Sequence, residues 1–389
     1  METLFWISVG LIAYVYVGYP ALLELSARLR HFVAAARQAP LRGVAAGKLW
    51  SEPLRLAPRT RSLPATGSRP LPFAAQVPGV SVIVAARNEA RRLAARIENL
   101  LACDYPADRI EIIVASDGST DDPAAALAPY GRRVRLLLLP RAGKASALNA
   151  AVLCATHPIV VFADARQQFA PDAIRRLVAP FADPQIGAVS GELMIDGAGS
   201  TIGDGVGAYW RYEKWLRRRE ALLDSTLGVT GAIYAMRRWL WQPLPVDTLL
   251  DDVLGPMRVV LRGYRVVFEP AARAYDVAAS DAGAELRRKV RTLAGNFQLL
   301  AYEPRLLVPG VNPVWLQFMS HKLGRLLVPY ALLTILASSA VLARTSWIYA
   351  AAFGAQLFFY GLAVYGAWLD RRTRVTSETV SPEAFREAA

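Results

Sequence analysis

The sequence predicts an α/β domain, a parallel sheet with crossover helices, carried by a chain that crosses a membrane near both ends. Three observations predict it. From Val80 onward short apolar runs alternate with helical stretches, the pattern that a sheet covered by crossover helices requires. Leu4 to Leu23 is a twenty-residue run without a charge, enough rise to cross about 30 Å of hydrocarbon. Two further apolar runs, Leu326 to Leu342 and Trp347 to Leu369, are separated only by Ala343, Arg344, Thr345 and Ser346, which reads as a transmembrane hairpin. The whole chain has 389 residues and is 54% hydrophobic, which excludes a disordered, collagenous or small disulfide-stapled protein.

The first run is read as a retained span. Only Met1, Glu2 and Thr3 precede it, whereas a cleaved signal peptide wants a basic leader and a shorter apolar stretch. Lys and Arg number 45 against 32 Asp and Glu, a net charge of +13, and their placement orients the chain. Arg28, Arg30, Arg37, Arg42 and Lys48 follow the first span, Lys322 and Arg325 precede the second, and Arg371, Arg372 and Arg374 follow the third. The hairpin tip carries Arg344 alone. The expectation is an inner (plasma) membrane protein whose central domain and C-terminal tail face the cytoplasm. The positive charge then lies beside anionic lipid and needs no nucleic acid to explain it; no nucleic-acid motif is present. Cys103 and Cys154 lack metal-ligand or redox spacing and read as core residues of a reducing compartment.

The domain expectation is a first span over residues 1–25, a basic Pro-rich linker over 26–78, a cytoplasmic domain over 79–275, amphipathic interface helices over 276–325, the hairpin over 326–369 and a tail over 370–389. The linker rests on prolines 40, 53, 58, 64, 70, 72 and 78 among scattered arginines. Within the domain, strands are expected at Val80–Ala86, Ile110–Ala115, Val134–Leu139, Ile159–Ala163 and Ile186–Gly191. Helices are expected at Ala90–Ala102, Asp122–Tyr130, Lys144–Ala155 and Pro171–Pro180. Asn312–Arg325 reads as an interfacial amphipathic helix, with His321 a headgroup or packing residue.

In such a sheet ligands bind at the carboxyl ends of the strands, and polar residues collect there. The first strand runs into Arg87, Asn88 and Glu89, the second into Asp117-Gly118-Ser119-Thr120-Asp121, the fourth into Asp164-Ala165-Arg166. The Asp117 segment reads either as a turn with a helix cap or as half of a nucleotide pocket in which Gly118 permits close approach. Lys144 stands at a helix start behind Gly143, where free amides and a mobile cation attract phosphate. Asp164, a carboxylate directly after a buried strand, suits a hard divalent cation. Asp251-Asp252 opens a helix and reads as a dipole-satisfying pair or as a general base, with Thr230, Gly231 and Ala232 as a floor beside it. Arg287, Arg288, Lys289 and Arg291 form a cationic helical turn, facing either lipid or a diphosphate.

Taken in order, VSVIVAARNEA, ASDGSTDD, GKASALNAA, VFADARQQF, VTGAIYAMRR and LLDDVLGPMRVVLRGYRVVFEP resemble the motifs of membrane-bound family 2 glycosyltransferases, over about Val80 to Pro270. That resemblance implies a GT-A fold, a Rossmann-like mixed sheet with helices on both faces, and an inverting transfer from a nucleotide-diphosphate sugar, usually UDP-linked, with Mg²⁺ or Mn²⁺. It implies that Glu89 and Asp117 hold uridine, Lys144 reaches the phosphates, Asp164 binds metal, and Asp252 is the base with Asp251 in the Glu position of the family's Glu-Asp pair. Thr230, Gly231 and Ala232 match the acceptor-side element. Two departures stand out. The family's second metal-site acid is replaced by Arg166, and its Gln-x-x-Arg-Trp motif is Arg288-Lys289-Val290-Arg291-Thr292, in which only Arg291 survives. The expected acceptor is a lipid-linked or polysaccharide molecule. The alternatives are a processive polysaccharide synthase, and a non-catalytic sugar-nucleotide-binding subunit working with polysaccharide-export partners.

Overall fold

The structure is a computed structural model and describes residues 1–38, 77–196, 201–277 and 282–379. The Pro-rich linker expected over 26–78 falls mostly outside the described residues, as does the end of the C-terminal tail. The chain divides into two compact units, Pro20–Lys322 and a second made of Met1–Tyr19 with Leu323–Ala389.

The larger unit is built on one eight-stranded sheet. Its strands are β1 (Val80–Ala86), β2 (Ile110–Asp117), β3 (Val134–Leu139), β4 (Ile159–Asp164), β5 (Gln168–Phe169), β6 (Ile186–Asp196), β7 (Ile233–Arg237) and β8 (Arg265–Val277), in the spatial order β3-β2-β1-β4-β7-β6-β8-β5. The first four strands in that order pair in parallel, as the alternation of apolar runs and helices requires. β7 enters antiparallel to both β4 and β6, which makes the sheet mixed.

Period-two alternation divides each central strand between two cores. Val82, Val84, Ile112, Val114 and Val161 pack on one face with Leu93, Ile97, Ile174 and Leu177 of the covering helices. Ile83, Ile113, Val160 and Phe162 point to the other face and meet Leu148, Tyr234, Leu254 and Met257. Because both faces are covered, these strands read as unbroken apolar runs, and their polar residues are displaced to the strand ends. Cys103 is buried and Cys154 half-buried, both as free thiols.

Of two elements that position the site, one was not anticipated and one differs from expectation. Thr201–Leu223 is a helix, although Gly203, Gly205 and Gly207 give that stretch the composition of a loop. Asn312–Arg325 is not a separate interfacial helix. Helix begins at Trp315, passes through a π-helical turn over Phe318–Leu323 and continues to Leu342. His321 is accordingly no headgroup residue: it is buried, with Nδ1 2.7 Å from Glu220 and Nε2 3.5 Å from Glu213, both on the Thr201–Leu223 helix. Two buried carboxylates require such a partner.

Among the described residues, three helices are long and apolar enough to cross a membrane: Glu2–Arg30, Trp315–Leu342 and Trp347–Leu369. In the smaller unit Phe5, Ile335 and Tyr349 form a buried cluster, with the rings of Phe5 and Tyr349 edge to face at 5.0 Å.

Among the described residues, Arg96 is a buried charge with no carboxylate in ion-pair contact. Arg96, on the Ala90–Leu101 helix, is 2% exposed, lies 4.2 Å over the Phe169 ring and donates to Asn99 Oδ1 at 2.6 Å. Its Nε and Nη2 have no hydrogen-bond partner, and burial draws its pKa down to about 10. Replacing such a group by an apolar side chain of similar length is often neutral or stabilising. Arg96→Met should therefore keep or raise the thermal midpoint of the detergent-solubilised chain, and a loss of more than about 3 kcal/mol would contradict this reading.

Candidate active site

The site is assembled at the carboxyl ends of β2, β1 and β4, three neighbours in the sheet, so Asp117 and Asp164 stand two strand spacings apart, roughly 10 Å. Between them the chain leaves β1 through Asn88, which adopts a left-handed backbone (φ +55°). That turn is locked to the loop after β2. Thr120 N donates to Asn88 Oδ1 at 2.8 Å, Asn88 N to Ser119 Oγ at 3.1 Å, and Ala90 N to Asp121 Oδ2 at 2.7 Å.

Asp117 is 6% exposed and gathers the backbone of the following loop. Ala142 N donates to its Oδ1 at 2.7 Å, and Gly143 N reaches both oxygens at 2.9 and 3.0 Å. Gly118 is required beside it: φ is +57°, and a Cβ there would stand 2.6 Å from the Cβ of Arg141. The turn expected of this motif is thus present. Asp117 shapes the loop that delivers Lys144 to the first position of the Lys144–Cys154 helix. Glu89, at the mouth of the same end of the sheet, pairs with Arg92 at 2.5 Å.

Lys144 joins the two halves of the site. Its Nζ is 3.2 Å from Asp164 Oδ1 and 3.4 Å from Asp251 Oδ2. Burial opposes its charge, but Asp251, Asp164 and Asp252 together outweigh burial and raise its pKa, so the ammonium is held charged.

Asp251 and Asp252 open the Asp251–Leu261 helix. Asp251 is 8% exposed and turns toward Lys144. Asp252 packs on Gly231: a Cβ at Gly231 would lie 3.2 Å from Asp252 Cβ and 3.3 Å from its Oδ2. Burial and the neighbouring Asp251 raise the Asp252 pKa, and Lys144, Lys322 and Arg217 pull against that rise. Val229 N donates to Asp252 O at 2.8 Å, fixing the Thr230–Ala232 loop against the helix start. Thr230 is held by Ser190 Oγ, which accepts from its backbone N at 2.9 Å, and by Arg217, which donates to its Oγ1 at 3.2 Å.

Arg166 turns away from Asp164, to Asp276 on β8 at 2.6 Å, and Gln167 joins it there at 2.9 Å. Arg288 and Arg291 are exposed on the Ala282–Tyr302 helix. The later turns of that helix dock on the loop leading to Asp251: Gln298 Oε1 accepts from Leu249 N at 2.9 Å, and Gly295 lies against Leu250. Arg291 and Gly295 are four apart and share a face, so the cationic turn continues the docked face outward.

Residues with no motif to announce them complete the site. A register shift between Ser190 and Glu192 in the β6–β8 ladder turns Glu192 toward Lys214 (3.1 Å) and Arg218 (3.2 Å) of the Thr201–Leu223 helix. Glu192, Lys214, Arg217, Thr230 and Phe268 line a small cleft. The one signal in the sequence was the charge density of Arg211–Glu220, which pattern reading assigns to solvent.

As to a metal, the described residues contain no group of three or more His, Cys, Asp or Glu side chains that could hold one. Asp164, at the end of β4, has a side chain that is 36% exposed. Mg²⁺ and Mn²⁺ sites built from one or two carboxylates, substrate phosphates and water need no more than this, so the residues fit a cation held mainly by substrate oxygens.

The close packing of Gly231 on Asp252 generates a test. Gly231→Ala should displace the Asp252 carboxylate by a few tenths of an ångström and lower kcat roughly ten-fold. Unchanged kcat in a folded variant would remove Asp252 from the reacting geometry.

Comparison with known proteins places this geometry. Residues 81–241 match the family model described as glycosyl transferase family 2. The chain is 25% identical over 236 residues to the poly-beta-1,6-N-acetyl-D-glucosamine synthase of Staphylococcus aureus (strain COL), and 24% identical over 233 residues to that of Staphylococcus epidermidis. Each match covers 58% of this chain and 56% of the relative, so the chain spans about half the length of the curated relatives it matches. Among solved structures, a mannosyltransferase of Pyrobaculum calidifontis, PcManGT, in complex with GDP-Man and Mn²⁺, is similar over 97% of this chain and 98% of its own, with a TM-score of 0.61 at 24% identity, a likeness of fold. Residues 81–241 thus carry a domain similar to glycosyl transferase family 2, on a fold similar to that of PcManGT.

Proposed function

We propose that the protein moves a sugar from a UDP-linked donor to a hydroxyl group of a lipid-linked or glycan acceptor, with inversion at the anomeric carbon, on the cytoplasmic side of the inner membrane. The observation that carries this reading is Lys144, held charged between Asp164 on the nucleotide side and Asp251 beside Asp252. A cation so placed meets the charge that develops on a departing diphosphate, in a position fixed before the reaction begins.

The residues divide the work as follows. Glu89 lines the uridine end. Asp117 sets the Arg141–Gly143 loop, and its remaining lone pair is left for the base, since an ionised carboxylate has about four acceptor sites and three are used. Asp252 accepts the proton of the acceptor hydroxyl. The oxygen bonds to the sugar C1 from the face opposite the leaving group, and the C1–oxygen bond to the diphosphate breaks with its electron pair passing to UDP. Lys144 stabilises that charge, and Arg291, with Arg288, is placed on the helix face that reaches toward the same end. Thr230, Gly231 and Ala232 bound the acceptor side. Mg²⁺ or Mn²⁺ on Asp164 would supply further charge neutralisation for the diphosphate. Arg166, committed to Asp276, is a strut for that loop more than a phosphate ligand.

The Gln-x-x-Arg-Trp departure favours one or a few additions over a long polymer, although the S. aureus relative is called a synthase of poly-beta-1,6-N-acetyl-D-glucosamine. Product length with radiolabelled donor separates the two.

Asp252→Asn should lower kcat for UDP release by roughly two to four powers of ten and keep UDP binding; near-normal release would remove Asp252 as the base. Because burial and Asp251 raise its pKa, the base is ionised only above that raised value. The acid limb of kcat/KM should therefore fall at a pH above the ordinary carboxylate range, and activity should be lost as pH drops through it. A limb at the value of a free aspartate would contradict the assignment. EDTA should abolish turnover and added Mg²⁺ or Mn²⁺ restore it; activity unchanged by EDTA would leave diphosphate neutralisation to Lys144 and the arginines.

A further inference from the structure

Two cations stand on the acceptor side of Asp252 and are not used in the steps above. Arg217, from the Thr201–Leu223 helix, makes one hydrogen bond, to Thr230 Oγ1. Lys322, from the Phe318–Leu323 turn, is half-buried and, among the described residues, has no hydrogen bond and no carboxylate within 4 Å. Both act on Asp252 and each repels the other, and Asp252, Glu213 and Glu220 attract Lys322 without contacting it.

The nearby carboxylates are engaged elsewhere. Glu192 is held by Lys214 and Arg218, and Glu213 and Glu220 bracket His321. Each of these contacts also fixes the backbone that carries a cation: His321 precedes Lys322, and Glu213 and Glu220 flank Arg217 on one helix. Facing like charges without direct counter-ions are costly in a half-buried place. The cost is recovered when an anion comes between them, because charge-assisted hydrogen bonds to a phosphate are about twice as strong as neutral ones. Lys144 is not the cation for that anion, since it stands between Asp164 and Asp251, where it meets the departing diphosphate.

We propose that Arg217 and Lys322 form a phosphate site beside the base, so that the hydroxyl that is glycosylated belongs to a phosphorylated acceptor, a sugar carried on a phosphate or diphosphate. This rests on Asp252 being the base. A neutral glycan has no group that would repay the placement of two unpaired cations. The phosphate is not the nucleophile: it positions the attached sugar, whose hydroxyl faces Asp252.

The experiment uses the full chain in lipid nanodiscs with UDP-N-acetylglucosamine as donor and three acceptors bearing the same sugar: N-acetylglucosamine on a polyprenyl diphosphate, soluble N-acetylglucosamine 1-phosphate, and a neutral octyl glycoside. Wild type should show kcat/KM at least roughly ten-fold higher for a phosphorylated acceptor than for the glycoside, the scale of a charged hydrogen bond. Preference for the first compound identifies a lipid carrier, and equal use of the second a soluble sugar phosphate. Lys322→Ala and Arg217→Gln should lose this preference mainly through KM. Lys322→Arg should keep it, and UDP binding should be unchanged in all three, which also shows that they fold. Equal use of the neutral glycoside by wild type, or an equal loss on all three acceptors in the variants, would overturn the phosphate site. Binding of the polyprenyl diphosphate sugar to Asp252→Asn, followed by native mass spectrometry with and without Lys322→Ala, needs no donor. Failure of that contrast sinks the phosphate site, whereas absence of UDP release in wild type sinks the donor reading instead.

Discussion

A single ammonium group ties this site together. Lys144 lies 3.2 Å from the carboxylate that ends β4 and 3.4 Å from the one that opens the Asp251–Leu261 helix. Asp164 and Asp251 are far apart in sequence and on different elements, and without a cation between them their mutual repulsion would oppose the packing of that helix start on the sheet edge. The rest follows in order. Asp117 fixes the loop that delivers Lys144, Gly118 permits that loop to approach, and Gly231 permits Asp252 to pack beside Asp251.

The same arrangement explains how two adjacent aspartates take different roles. Asp251 is spent on Lys144, whereas Asp252 is pressed against a glycine and desolvated, with Asp251 as a near like charge. Environment alone divides them, one into a fixed counter-ion and the other into a group whose proton affinity is raised. Arg217 and Lys322 then limit that rise, which links the chemistry to a helix and a π-helical turn that carry none of the recognised motifs.

Much of the sheet edge was legible in the sequence because buried parallel strands leave an unmistakable trace. β1 and β3 have the expected bounds, β2 and β4 extend one or two residues further to include Asp117 and Asp164, and β6 runs on to Asp196. The antiparallel insertion of β7 was not legible: its five residues are too short to show a direction, and pairing partners are set by tertiary packing. The helix at Thr201–Leu223 was hidden by its glycines, and with it Arg217, Glu213 and Glu220. His321 was read as a headgroup or packing residue, and its burial agrees with the second of these. Its neighbours suggest an interface, and only the three-dimensional approach of two glutamates makes it a buried ionic partner.

The claim that Lys144 couples the nucleotide half to the base half is tested most directly by a double-mutant cycle on kcat for UDP release, with Lys144→Met, Asp251→Asn and the pair. A coupling energy of at least about 1 kcal/mol is the expected result for a direct contact at the reacting centre. Effects that add to within about 0.5 kcal/mol would mean that the two residues act independently, and the central contact would have no part in the reaction.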